Sequence, residues 1–280
     1  PVSGARYMRY GGNTACVSIS SDTGHLFILD AGSGIRELGL DLSNAGGRGA
    51  GPPSGYLLLS HTHWDHIQGF PFFGPACARQ ARFSIIGGCG ESGGLKALLA
   101  GQMDEGYFPV PFAALPAHLS FHALCEGEHD LDCVQLALQE QRHTQPSTAF
   151  RLRFGARAVV YASDNEPMNP PTPGNQLMGF DVVDERLVAF ARGADMLIHD
   201  AQYTLDEYQS HVGWGHNVPE VAVDTAILAG VRRLVLFHHD PVRTDDQIDT
   251  MLYRARERAG QMGATDLEVL AAHDGLNLVL

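Results

Sequence analysis

His61-Thr62-His63-Trp64-Asp65-His66 follows directly on the apolar run Tyr56-Leu57-Leu58-Leu59-Ser60. Three imidazoles and one carboxylate therefore fall within six residues, straight after a predicted buried strand. A folded core gains nothing from packing such groups together, since each costs free energy to desolvate. Imidazole with carboxylate suits zinc first, and manganese or iron(II) less well. His61 and His63 alternate on an extended stretch, so both can face one ion. Asp65 and His66 come after a turn and can reach a second ion beside it. The stretch predicts a hydrolase built round one or two metal ions.

The same pattern recurs along the chain. Ala158–Ala162 is short and apolar and stops at Ser163-Asp164-Asn165-Glu166. Met196–His199 ends in Asp200, and Leu234–Phe237 ends in His238-His239-Asp240. Active sites of α/β folds gather at such strand ends. Two cations held about 3.5–4 Å apart need a bridging carboxylate, and Asp164 is the best candidate. Histidines at other loop ends, His143 and His238, complete the set, with His239 competing for the place of His238.

Around these points strands and helices interleave, which gives an α/β reading. Cys16–Ser20 and His25–Asp30 read as a hairpin across Ser21-Asp22-Thr23-Gly24. Further strands are expected at 82–87, 134–141, 148–154 and 267–270. Helices are expected at 35–40, 93–100, 181–191 and 245–259, and an amphipathic helix over Val218–Ala229 closed by Gly230. Residues 43–55 read as a Gly/Pro/Ser-rich loop and 104–118 as an irregular aromatic segment, within which "DEGYFPVPF" (104–112) reads as a substrate wall, a dimer contact or a hydrophobic lid. "RYGGNT" (9–14) and "DAGSG" (30–34) lack a P-loop lysine or dinucleotide-binding spacing and read as close-packed turns beneath the metals. No stretch is long enough for a linker, so a single domain over 1–280 is expected.

With 280 residues, 44% apolar and 18% charged, the chain has the balance of a globular protein. A formal net charge of −13 excludes a broad nucleic-acid or anionic-membrane surface, although bound metal reverses the sign locally. There is no apolar run of about 18 residues, so no membrane span is expected. Five scattered cysteines without a Cys-x-x-Cys pair are expected to be reduced thiols in a cytoplasmic protein. The chain starts at Pro1 without an initiator Met, so a native N-terminus upstream is expected.

Taken together, the motifs resemble the metallo-β-lactamase superfamily, whose His-x-His-x-Asp-His motif is complete at 61–66. The resemblance is closer to its ribonuclease Z-like phosphodiesterase branch. His143 in "HTQPSTAFR", Asp164 in "VVYASDNE" and His238 in "RLVLFHHD" look like that branch's later metal motifs. "LIHDAQYT" followed by "GWGHNVPEVAVDTA" resembles its acid–histidine pair, Asp200 and His216, with His216 at the start of a helix. The resemblance implies a four-layer αββα sandwich, one strand before Pro1 and a homodimer. It implies one ion on His61, His63 and His143, another on Asp65, His66 and His238, and Asp164 between them. Asp65, His216 and Asp200 are the implied catalytic residues: a metal-bridging hydroxide attacks phosphorus, His216 protonates the leaving oxygen, and Asp200 fixes its tautomer.

Ribonuclease Z carries a long arm that grips tRNA between its third motif and the bridging aspartate. Only twenty residues separate His143 from Asp164, so no such arm fits. A small phosphodiester, such as a cyclic nucleotide, is the expected substrate. Hydrolysis of a lactone or carboxylic ester is the alternative, weakened because Asn165-Glu166-Pro167 stands where lactonase-like relatives carry a tyrosine. A non-catalytic metal-binding signalling module is the third reading, and it fits poorly with a complete ligand set.

Overall fold

Apolar runs form most of the strands, and in the computed structural model the strands assemble into two sheets. The structure describes residues 1–46, 52–89, 94–132, 134–168 and 182–280. The chain divides into two compact units, one of Pro1 with Asn13–Cys125 and one of Val2–Gly12 with Glu126–Leu280.

The first unit holds a five-stranded sheet of β1 (Val17–Ser20), β2 (Leu26–Leu29), β3 (Ser54–Leu58), β4 (Arg82–Gly88) and β5 (His118–Leu124), in that order. The β1–β2 pair is the expected antiparallel hairpin, and the other neighbours run parallel. Ile28, Leu57, Leu59 and Ile85 are buried together with Phe70 and Phe73. Helix α1 (Ile35–Gly46) outlasts its expected span; α2 (Trp64–Ile67) is one turn, and α3 is Leu95–Gly101.

β5 was hidden in the sequence. None of its residues HLSFHAL is fully buried, and polar residues interrupt the apolar ones, so no apolar run or clean alternation marks them. The expectation of reduced thiols is corrected here: Cys89 and Cys125 form a disulfide. Gly88 and Leu124 are register partners at the ends of parallel β4 and β5, so the next residue of each strand meets the other, with Cα atoms 4.6 Å apart. Cys16 and Cys77 are free thiols, and Cys133 lies outside the described residues.

The second unit holds a seven-stranded sheet: β6 (Gly127–Leu131), β7 (Val134–Gln141), β8 (Ser147–Phe154), β9 (Arg157–Ala162), β10 (Met196–Asp200), β11 (Arg233–Phe237) and β12 (Glu268–Ala271). β6 to β9 form an antiparallel meander, and β9 to β12 run parallel. The helices are α4 (Glu185–Ala191), α5 (Leu205–Tyr208), α6 (Pro219–Ala229) and α7 (Asp245–Gln261).

α6 is not the amphipathic helix expected. It packs against α4, α7 and the sheet, so even Asp224 is buried, and Arg258 meets both of its oxygens at 3.0 and 2.8 Å. Among the described residues no helix is long and apolar enough to cross a membrane.

Candidate metal centre

In the first unit β3 runs through Leu59 and Ser60 into His61, which is fully buried. The chain then turns into α2, with His63 at its N-cap position, Asp65 in its first turn and His66 buried. Two glycines allow this turn to sit on the end of β2. A Cβ on Gly32 would lie 2.4 Å from the Asp65 carbonyl oxygen, and one on Gly69 would lie 2.0 Å from that of Gly32. The "DAGSG" turn is thus close-packed beneath the cluster, as expected.

The four side chains converge. His61 Nε2 and His63 Nδ1 are 2.9 Å apart, and Asp65 Oδ2 is 3.4 Å from His66 Nε2. Asp30, which the sequence reading had left out of the site, supports them. It is fully buried at the end of β2, with φ 61°. Its carboxylate accepts the Ser60 N–H at 2.7 Å, the Ser60 hydroxyl at 2.8 Å and His66 Nδ1 at 2.8 Å. A carboxylate only accepts, so Nδ1 of His66 carries the proton and Nε2 keeps the lone pair that could face a cation.

In the second unit the chemistry comes from four separate loops. Asp164 follows β9, is 1% exposed and adopts φ 52°. His238 follows β11 with φ 59°, and its Nε2 lies 3.5 Å from Asp164 Oδ2. His143 follows β7, and its Nε2 lies 3.9 Å from Asp164 Oδ1. Each imidazole is held by its other nitrogen: His143 Nδ1 donates to the Gly215 carbonyl at 2.8 Å, and His238 Nδ1 to Gln202 Oε1 at 2.8 Å.

Asp200 ends β10 fully buried. One of its oxygens accepts His216 Nδ1 at 2.8 Å, and the other accepts the backbone N–H groups of Asn217 and Gln202 at 2.8 and 3.2 Å. His216 does not start the helix as expected. It sits in the loop before α6, where its ring stacks on that of His238 at 5.0 Å.

The choice between His238 and His239 falls to geometry. His239 turns away and donates Nε2–H to the Ala272 carbonyl at 3.1 Å, and burial lowers its pKa to about 4. Asp164, Asp200, His216 and His238 also offer ligand atoms within 4.8 Å of one another. Asp200 is nevertheless already engaged with His216 and two N–H groups, which makes it an orienting acid.

Both sets fit divalent cations. Their donors are imidazole nitrogens and carboxylate oxygens, and the rings of His66, His143 and His238 are each held by a hydrogen bond at Nδ1. A family model for the β-lactamase superfamily domain matches residues 25–239. The chain belongs to the metallo-β-lactamase superfamily.

Relatives in the superfamily agree with this. Ribonuclease Z of Mycobacterium sp. (strain KMS) is 29% identical over 276 residues, covering 90% of this chain and 88% of that one. Human tRNase Z, short form, superposes with a TM-score of 0.63 at 18% identity, covering 99% and 95% of the two chains. A diphosphatase from the PhnP family superposes with a TM-score of 0.61 at 17% identity, covering 95% and 84%. The α/β metallo-β-lactamase fold expected from the motifs is therefore the fold of this chain.

Beyond Asp30, the sequence reading missed Ser60, Gln202 and the Gly215 carbonyl. Ser60 Oγ lies 3.1 Å from His61 Nδ1, and so pairs with the superfamily motif from the residue just before it. A signal existed for Asp30 alone: like Asp164, Asp200 and His238, it is a polar residue where an apolar strand ends. Trp64 is 63% exposed. In segment 104–112, Tyr107 is exposed while Phe108 and Phe112 pack on Phe72 and Phe70. Of the histidines read as ordinary, His211 has a structural role: it stacks on Tyr203, whose ring edge meets His216.

Proposed function

We propose that this chain is a dinuclear metal-dependent phosphodiesterase acting on a small, cyclic phosphodiester. The observation that carries the reading is the His216–Asp200 hydrogen bond of 2.8 Å beside the strand-end residues Asp164 and His238. An acid–histidine pair has work to do where an alkoxide must leave and take a proton. The names of the relatives, ribonuclease Z and a diphosphatase, agree with phosphorus chemistry.

By resemblance to the superfamily motifs, His61, His63 and His143 would hold one ion, Asp65, His66 and His238 would hold the other, and Asp164 would add its carboxylate. Zinc suits this donor set best, with manganese or iron(II) as alternatives. Two such ions, when bound, would supply a nucleophile from water at neutral pH and stabilisation of charge on the phosphoryl oxygens. The protein's own work is positional. Asp200 accepts from Nδ1 of His216, which turns Nε2 to the leaving oxygen; the proton given there is the second one of the doubly protonated ring, which the Asp200 carboxylate stabilises. Asp30, Gln202 and the Gly215 carbonyl fix the rings of His66, His238 and His143.

The preference for a small substrate is supported by where the chain goes after His143. The residues up to Asp164 form β8 and β9 with short turns, which leaves none for an RNA-gripping arm. A net charge of −13 also disfavours a large polyanion. The test is a rate comparison on the metal-loaded protein with bis-p-nitrophenyl phosphate, nucleoside 2′,3′-cyclic phosphates, a homoserine lactone and a precursor tRNA. The cyclic phosphodiester should give the highest kcat/KM. A preference for the lactone would sink the phosphodiesterase reading, and efficient cleavage of the tRNA would sink the small-substrate reading alone.

A further inference from the structure

We propose that Glu166 is a positioning residue: its buried carboxylate anchors the Gly213–Asn217 loop and so sets both His216 and the carbonyl that orients His143. The inference rests on the phosphodiesterase reading for its kinetic consequence, though not for its structural one.

Glu166 follows Asp164 by two residues and is only 4% exposed. Its Oε1 accepts two hydrogen bonds, from the Tyr208 hydroxyl at 2.9 Å and from the Gly213 N–H at 2.5 Å. Its own N–H donates to the Arg142 carbonyl at 2.8 Å, next to His143. Arg142 Nε lies 4.0 Å from Oε2. Burying a carboxylate is costly unless donors meet it, and here they all come from segments that carry or flank site residues.

The preceding residue grips the same loop at its other end. Asn165 accepts from the Asn217 amide at 2.9 Å and itself donates to the Ala162 carbonyl at 2.8 Å. Two consecutive side chains thus hold the loop on both sides of His216. The loop needs holding. Gly213 and Gly215 adopt φ 88° and 84°, conformations that leave a glycine backbone many alternatives. Gly215 also leaves no slack toward His143, since a Cβ there would lie 2.0 Å from Nδ1. Release of the loop therefore moves the proton donor and the His143 carbonyl partner together.

A misplacement of about 1 Å in a reacting group costs on the order of 10²-fold in rate. Glu166→Ala should lower kcat on a nucleoside 2′,3′-cyclic phosphate, whose leaving group is an alkoxide, by about 10–10²-fold, with KM within about twofold. On bis-p-nitrophenyl phosphate, whose leaving group needs no proton, only the loosened His143 contact tells, and the loss should be several-fold smaller. Glu166→Gln keeps an acceptor at the same place and should restore most of the lost rate. Tyr208→Phe removes one of the two donors while keeping the ring packed, and should show the same substrate pattern more weakly.

Amide hydrogen exchange supplies a readout independent of activity. Asn217 N–H, which donates to Asp200 rather than to Glu166, should lose protection in Glu166→Ala and keep it in Glu166→Gln. Equal rate losses on both substrates, or unchanged exchange at Asn217, would overturn the positioning role. If the wild type hydrolyses neither phosphodiester, the function proposed above fails, and the exchange data still decide whether Glu166 anchors the loop.

Discussion

The two ligand sets are built in opposite ways. In the first unit four donors come from one six-residue segment, and a single carboxylate, Asp30, braces the segment from the end of β2. In the second unit, His143, Asp164, His216 and His238 come from four separate loops and Asp200 from the end of β10, spread over almost a hundred residues, with each histidine held at Nδ1 by a different acceptor. A local set is specified by one turn and tolerates few errors because all its members move together. A dispersed set depends on the register of β9, β10 and β11, whose parallel pairing aligns Ala162, His199 and Leu236.

Both sets share one device. Among the described residues five non-glycines have positive φ, and three of them are Asp30, Asp164 and His238, each just past a strand. Such a backbone costs of order 1–3 kcal/mol and turns a strand-end side chain out of the alternation of the sheet toward the site. The strain is therefore shared by the two units, while the spacing of the ligands is not.

The strongest way to break the comparison is to remove one member of each set. His66→Ala and His238→Ala should each cut hydrolysis of bis-p-nitrophenyl phosphate by at least about 10²–10³-fold, the scale of losing a transition-state charge stabiliser. Asp65→Ala should do the same, all three staying folded by circular dichroism. The wild type should carry about two ions per chain by elemental analysis, and these variants fewer. Full activity in either the His66 or the His238 variant would mean that only one set serves the chemistry.

His216→Ala tests the part of the second set that has no counterpart in the first. Its loss should be about 10²–10⁴-fold on a cyclic nucleotide and much smaller on an activated aryl ester. Equal losses on the two would remove the proton-donor role. Next come the braces. Asp30→Asn should weaken metal binding about 10–100-fold in a chelator competition, and Gln202→Ala should fall at the low end of that range, because a neutral acceptor polarises imidazole less. If Gln202 mattered more, the dispersed set would be the better braced of the two.

The smallest effect is a control away from both. Gly230 closes α6 with φ 65° and has open space around it. Gly230→Ala should cost about 1 kcal/mol in urea unfolding through backbone strain alone, with kcat unchanged.

How far the sequence could be read follows from the same contrast. The 61–66 cluster was legible because its donors are adjacent, and β9, β10 and β11 because burial on both faces leaves unbroken apolar runs. β5 and β6 were not, since their half-exposed, polar residues leave no such trace. Asp30 went unread because an aspartate before Ala-Gly reads as turn chemistry until its three donors are seen. The Cys89–Cys125 bond depends on the register of β4 with β5, which no spacing within the chain reveals.

By itself, the sequence determined the residue types and their order: which strands are apolar, which residues end them, and that imidazoles and carboxylates recur there. Those follow from local chemistry, since periodicity and desolvation cost act on neighbours along the chain. Tertiary structure decided which nitrogen of each histidine is engaged, that His238 rather than His239 faces Asp164, and that Asp30, Gln202 and Glu166 stand behind the site. Those depend on hydrogen bonds between residues tens of positions apart, whose meeting is set by strand register and loop closure rather than by sequence spacing.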